Sequence, residues 1–272
     1  MITREAVYSD APESAAAGGW RAVVLALGDI GRAGSMTFQA LVMMPLLFAN
    51  PRSRRELARQ LYVTGIKSLA LITVVGMFTG MILALQVGLE LRRYNQEVYI
   101  GSAVMVSLLR EMGPFMTGIV LAACVGSSMA AQIGTMTVND EIAALEMMSI
   151  NPVRFLMAPR IAAMVLMTPI LSFYTCVLGV IGGGIVGVTQ LNVPWDQYMS
   201  MAIDIARMRD LYVGLLKALV FGIVVTGVSC FEGFTTTQGA VGVGRATRRS
   251  VITSILVILI LGYVITRLFY DL

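Results

Sequence analysis

The sequence predicts an all-α, polytopic membrane protein: five transmembrane helices, an N-terminal helix lying in the membrane interface, and a short helix in a cytoplasmic loop. Three observations carry this. Of 272 residues, 57% are apolar and 13% charged, against about 45–50% and about 25% in soluble domains. The mean hydropathy is +0.80. Between Arg160 and Asp196 nothing ionises except Tyr174 and Cys176, a run unsuited to a water-exposed surface.

A bilayer core of about 30 Å needs roughly 20 helical residues. The uncharged stretches Lys67 to Glu90, Glu111 to Asp140, Arg160 to Asp196 and Arg249 to Arg267 each hold one span, and Leu211 to Phe231, broken only by Lys217, holds another. The working spans are 67–90, 101–131, 160–190, 209–231 and 250–270. Arg52, Arg54, Arg55, Arg59, Arg154, Arg160, Arg245, Arg248 and Arg249 then share one side, against Arg92, Arg93, Arg207 and Arg209 on the other. The positive-inside rule places the first group, and the N-terminus, in the cytoplasm.

Residues 1–18 are small and polar, with Asp10 and Glu13 and no basic stretch before an apolar core; they read as a disordered tail, not a signal peptide. The membrane domain is taken as 19–272. Within 19–50, Trp20, Val23, Val24, Leu27 and Ile30 alternate with Arg21, Asp29 and Arg32 at helical spacing, the pattern of an interfacial helix. The competing reading is a sixth span at 33–51.

The net charge of +4 and pI near 9.1 do not make a nucleic-acid face. The one dense cluster, Arg52 to Arg59, abuts an apolar segment as a membrane flank does. The chain has no histidine, which excludes His-based triads and His-ligated metals. Cys124, Cys176 and Cys230 all fall in apolar segments and read as packing residues. Neither metal nor cofactor is expected. Gly239, Gly242 and Gly244 lack the preceding strand and the Gly-Lys-Ser/Thr of a phosphate cradle. They read as a turn before a helix starting near Ser250, and nucleotide chemistry is left to a partner. Gly76 and Gly80, and Gly179, Gly183 and Gly187, recur at four-residue spacing and predict a close helix approach, within one subunit or at a dimer seam.

Arg110 and Glu111 lie inside the second span and Lys217 inside the fourth, where a charge costs at least about 2.5 kcal/mol unless paired or watered. Counted from the outer ends, Glu111 and Lys217 reach similar depths, which predicts a pair, either a structural bolt or a gate. In the loop at 132–160, Asn139 is read as the cap of a helix over 139–150, with Asp140 and Glu141 in its first turn, Ile142, Leu145 and Met148 on one apolar stripe, and Asn151-Pro152 as its stop. A soluble partner would grip such a helix.

SLLREMGP at 107–114, GTMTVNDEIAALEMMSINPVRFLMAPR at 134–160 and GAVGVGRAT at 239–247 together resemble the MlaE/YrbE family of ABC-transporter permeases, and FTGMILALQ at 78–86 is similar to that family's first span. The resemblance covers roughly residues 20–272. It implies a homodimeric permease, without enzymatic activity of its own, in a bacterial inner membrane. Such a permease moves phospholipid or a related lipid between that membrane and a periplasmic MCE-domain protein. The helix at 139–150 would be the coupling helix seated in a cytoplasmic ABC ATPase, which in many such systems also binds a STAS-domain protein. Related permeases place a lipid cavity near the outer end of the first span, which here would be lined by Leu83, Gln86, Leu91 and Tyr94.

One departure stands out. Where the family commonly carries an Arg and a Glu in a GRxGSxxxAE-like run, this chain has ACVGSSMAAQIG, with Cys124 and Gln132 at those positions. Joint loss is what two mutually balancing charges would show. Two other functions compete with the permease reading. An ion-coupled secondary transporter would show two related halves, and none is visible between 60–135 and 160–270. A non-transporting anchor for an MCE protein would not need the loop helix.

Overall fold

The computed structural model describes residues 28, 31–44 and 51–270. The expected tail at 1–18, and much of the interfacial segment at 19–50, lie outside them. The described residues are helical throughout, with no strand, and five helices are long and apolar enough to cross a membrane: Arg54–Arg93, Glu97–Val138, Val153–Leu191, Met208–Phe234 and Gly239–Tyr270. The chain is a multi-pass membrane protein.

The first helix, α1 (31–42), extends roughly 18 Å at about 1.5 Å per residue, short of a bilayer core. Ala40 packs with Leu57, Ile133 and Met157, while Phe38 and Val42 are exposed. The first span joins α2 (Pro51–Leu61) to α3 (Lys67–Arg93) through a wide π-type turn at Tyr62–Ile66. The second joins α4 (Ile100–Ser107), α5 (Gly113–Leu121) and α6 (Ser127–Val138) through two more, at Leu108–Met112 and Ala122–Gly126. After α7 (Glu141–Met147), a fourth wide turn at Val153–Met157 opens the 34-residue α8 (Ala158–Leu191). The last helices are α9 (Trp195–Ile205), α10 (Met208–Phe234) and α11 (Gly239–Tyr270).

The helices outrun the uncharged windows because backbone hydrogen bonding continues where apolar side chains stop. In α2, Leu57 and Gln60 are buried while Arg55 and Arg59 stay exposed, so the first span carries an amphipathic extension. Two expectations are corrected. Gly239, Gly242 and Gly244 are not a turn before a helix at Ser250, because α11 already begins at Gly239. The reversal sits just ahead, with Gln238 at φ 69° and Gly239 at φ 61°. Gly242 is needed inside the helix because a methyl group there would overlap the Thr237 carbonyl.

The loop helix is the second correction: it spans Glu141–Met147, not 139–150, and Asn139 does not cap it. Helix α6 runs through Val138 and the Asn139 N–H bonds back to the Thr135 carbonyl at 3.0 Å. Asp140, at φ 57°, makes the reversal without a side-chain cap. The capping oxygen belongs instead to Asn151, whose Oδ1 accepts from the Val153 and Arg154 N–H groups at 2.9 and 3.3 Å and so starts the third span.

The structure also contains α9, which no uncharged window reveals because Asp196 and Asp204 interrupt it. It buries Tyr198 and Ala202 against α4, where Ser102 donates to the Met201 carbonyl at 2.9 Å. Burial raises the Tyr198 pKa above its ordinary value, so its hydroxyl stays protonated and donates to the Val180 carbonyl at 3.1 Å.

The glycine repeats meet within one chain. A methyl group at Gly80 would overlap the Gly179 carbonyl, and one at Gly182 the Met77 carbonyl. Thus α3 and α8 touch backbone to backbone, the small-residue packing used where no hydrophobic force separates helix from lipid. Three buried clusters stack along the bundle. Tyr198 and Val104 mark the α9 end, Phe221 and Leu171 the middle, and Ile133 and Cys230 the α7 end.

Candidate functional site

The wide turn at Leu108–Met112 places Arg110 and Glu111 on neighbouring positions of the second span. Two residues beyond that turn, Pro114 has no N–H to return to the carbonyl four residues back, which is that of Arg110. Lys217 of α10 supplies the missing donor, with Nζ 2.7 Å from the Arg110 carbonyl oxygen. The same ammonium donates to Glu111 Oε1 at 2.6 Å and to Thr266 Oγ1 of α11 at 2.7 Å, so all three of its protons are used. Thr266 also hydrogen-bonds Glu111. Lys217 reaches this far because α10 lies against the turn at Gly214, where a side chain would overlap the Leu109 carbonyl.

Depth alone puts Glu111 beside Lys217, and the structure brings them together. It does not bring Arg110 to the same acid. Arg110 donates from Nε and Nη2 to the two carboxylate oxygens of Asp210 at 2.9 and 3.2 Å, a bidentate fork. Tyr270 closes the group: its hydroxyl donates to Asp210 Oδ1 at 2.7 Å and its ring lies 4.6 Å from the Arg110 guanidinium carbon. Sequence reading missed Asp210, Thr266 and Tyr270. The spacing contains a signal, since Asp210 and Lys217 are seven residues apart on α10 and Thr266 and Tyr270 four apart on α11, each near whole turns.

The cluster therefore holds two cations and two carboxylates across spans two, four and five. Lys217 and Asp210 are buried, with side-chain exposures of 1% and 3%, whereas Arg110 and Glu111 keep 37% and 40% on the surface of the chain. An acid and a guanidinium thus face outward from the second span, level with the first turns of α10 and the last turns of α11.

At the opposite end, α7 hangs between spans two and three. Ile142 and Leu145 lean on the protein, and Met147 and Met148 are 87% and 61% exposed. Beneath the helix lies a cleft of about 520 Å³ lined by Met36, Ile142, Ile150, Val153 and Phe234 among others. The candidate lipid wall is split: Leu83 and Leu91 pack against the α9-end cluster, whereas Gln86 and Tyr94 are exposed. Among the described residues no His, Cys, Asp and Glu group is placed to hold a metal.

Comparison with known proteins follows the same line. The family model described as Permease MlaE matches residues 57–268. The chain belongs to the MlaE permease family. Among its relatives, the "Intermembrane phospholipid transport system permease protein MlaE" of Haemophilus influenzae is 35% identical over 89% of this chain and 92% of its own length. A "Probable ABC transporter permease protein" of Rickettsia typhi is 38% identical over 78% of this chain and 82% of its own. One of Synechocystis sp. is 34% identical over 80% and 83%.

In this MlaE permease, Cys124 and Gln132 occupy separate places on the second span. They stand eight residues, roughly 12 Å, apart along the second span, and Cys124 is exposed in the wide turn at Ala122–Gly126. The polar partners of Gln132 are Ser128 and Arg160. The balancing charge for an acid at position 132 lies on the third span.

Proposed function

We propose that two copies of this chain form the membrane path of an ABC transporter for phospholipid in a bacterial inner membrane, with the N-terminus and α7 cytoplasmic. A separate ATPase drives the cycle from α7, and an MCE-domain protein exchanges lipid at the α9 end. The observation that carries the reading is the outward exposure of Arg110 and Glu111 on an otherwise apolar span. Charges open to hydrocarbon are costly and ordinarily face a polar space or the interior of an assembly. A second copy across a two-fold axis would enclose that face, with Leu83, Gln86, Leu91 and Tyr94 towards its outer end and the charged cluster deeper in. The relatives' names support lipid as cargo and an ATP-driven cycle.

The apolar, exposed end of α7 is the surface for the ATPase, with Glu141, Leu145 and Met148 in the contact and Asn139 and Asp140 shaping its entry. The decisive experiment reconstitutes the chain with its copurifying ATPase and a fluorescent phospholipid in vesicles. ATP-dependent transfer that falls in Glu111→Gln is the expected result. Transfer that persists without the ATPase and follows an imposed ion gradient overturns the proposal in favour of a secondary transporter. Complete absence of transfer, with an MCE protein still bound, would leave an anchor.

A further inference from the structure

The load path from α7 into the bundle must run through its two stems, α6 and the start of the third span. Close to those stems lies Arg160, which is 6% exposed and whose hydrogen-bond partners among the described residues include no carboxylate. Nη1 donates to the Leu156 carbonyl, inside the wide turn at Val153–Met157, at 2.8 Å. Nη2 donates across to Gln132 Oε1 on α6 at 3.3 Å. Its Nε has no partner.

A buried cation held, among the described residues, by a carbonyl and an amide is poorly compensated, so its presence calls for something other than stability. Its geometry answers this. The planar fork holds the Leu156 carbonyl of its own span with one nitrogen and Gln132 of α6 with the other, about two turns from the connectors on either side of α7. Thr137 Oγ1 extends the same tie by donating to the Gly233 carbonyl of α10 at 3.0 Å.

We infer that Arg160 is a positioning residue that clamps the two stems of α7 into one body, so that movement of α7 is delivered to spans two and three together. The inference rests on the reading of α7 as the ATPase contact. Because the acceptor at position 132 is a neutral amide, the tie is a single long hydrogen bond that an acid there would convert into an ion pair.

The test has two arms. In the purified permease alone, with Cys124→Ser removing the exposed thiol and Cys176 and Cys230 buried, spin labels replace Met147 on α7 and Arg248 on α11. A narrow distance distribution is expected for the parent. It should broaden in Arg160→Lys and in Gln132→Leu, and stay narrow in Gln132→Glu. Gln132 is exposed, so its variants remain informative if Arg160→Lys fails to fold. In the reconstituted complex, Arg160→Lys should lower lipid moved per ATP hydrolysed by about tenfold, a usual coupling magnitude, while hydrolysis itself is largely kept.

An unchanged distance distribution in both Arg160→Lys and Gln132→Leu overturns the clamp. So does a fall in transfer and hydrolysis in equal proportion, the mark of lost fold alone. If α7 loosens as expected yet no ATPase engages it, the clamp stands and the functional reading of α7 is what fails.

Discussion

Replacing Glu111 with Leu strips Lys217 of its one acid among the described residues while the ammonium stays buried. With 1% of its side chain exposed, Lys217 has no water to turn to and keeps only the Arg110 carbonyl and Thr266. Breaking a buried pair in this way costs about 3–5 kcal/mol. Lys217→Met is milder. It leaves the Arg110 carbonyl without the Lys217 donor, and Glu111, 40% exposed, keeps part of its hydration, so a loss of about 1–3 kcal/mol follows. The double variant removes both charges and should resemble Lys217→Met alone, giving an interaction energy of about 3–5 kcal/mol in magnitude in a double-mutant cycle. Unfolding by SDS titration from mixed micelles supplies the four stabilities. Neutral hydrogen bonds between membrane helices average only about 0.6 kcal/mol in such cycles, so a coupling no larger than that would refute the pair as a charge compensation.

Tyr270→Phe keeps the ring under Arg110 but removes the donor to Asp210, and should cost about 1.5–3 kcal/mol in the same titration; no loss would mean the hydroxyl contact is idle. Gly80→Ala forces a methyl group into the Gly179 carbonyl and should lower the thermal midpoint, as overpacking by about 1–3 kcal/mol does. Gly244→Ala, with nothing within 4 Å on a helical position, should raise stability by about 0.5–1 kcal/mol. Leu145→Asp or Glu141→Lys should leave the permease inserted but abolish lipid-dependent ATP hydrolysis in the reconstituted complex, and retention of both hydrolysis and transport would remove α7 from the coupling role. A photo-crosslinker at Leu83 or Leu91 should retain phospholipid through purification, whereas one at Leu256, 55% exposed on α11, should label only exchangeable lipid; equal labelling would argue against a central path.

The five spans were legible because bilayer thickness translates directly into a count of uncharged residues, and the meeting of Glu111 with Lys217 was legible from depth. Partner choice at Arg110 was not. Asp210 sits at the charged margin of the fourth span, where windowing by hydropathy treats an acid as a boundary and not as a ligand. Helix α9 was hidden for the same reason, since Asp196 and Asp204 broke the window while Tyr198 and Ala202 kept a helical face. Asn139 misled because an Asx residue before a run of acids suits a cap by composition, yet α6 carries its hydrogen bonds through Val138 and leaves only Asn139 and Asp140 for the reversal. At Cys124 and Gln132 the sequence offers two vacancies on one helix, and only the hydrogen bond from Arg160 shows that position 132 answers to the third span.

The charged cluster also constrains how the bundle is able to move. Arg110 and Glu111 are adjacent on one wide turn, and their partners alternate between α10 and α11: Asp210 with Tyr270, and Lys217 with Thr266. A slide of α10 along the second span would draw Asp210 from Arg110 and Lys217 from Glu111 together, because the two α10 residues are fixed two turns apart. Rotation of the wide turn alone would break one pair before the other. Since Pro114 leaves the Arg110 carbonyl to Lys217, the same slide would also expose an unpaired backbone acceptor. Spans two and four are therefore expected to travel as a unit. Motion that opens the Arg110 and Glu111 face would then fall at its outer boundary, against a second copy or the lipid itself.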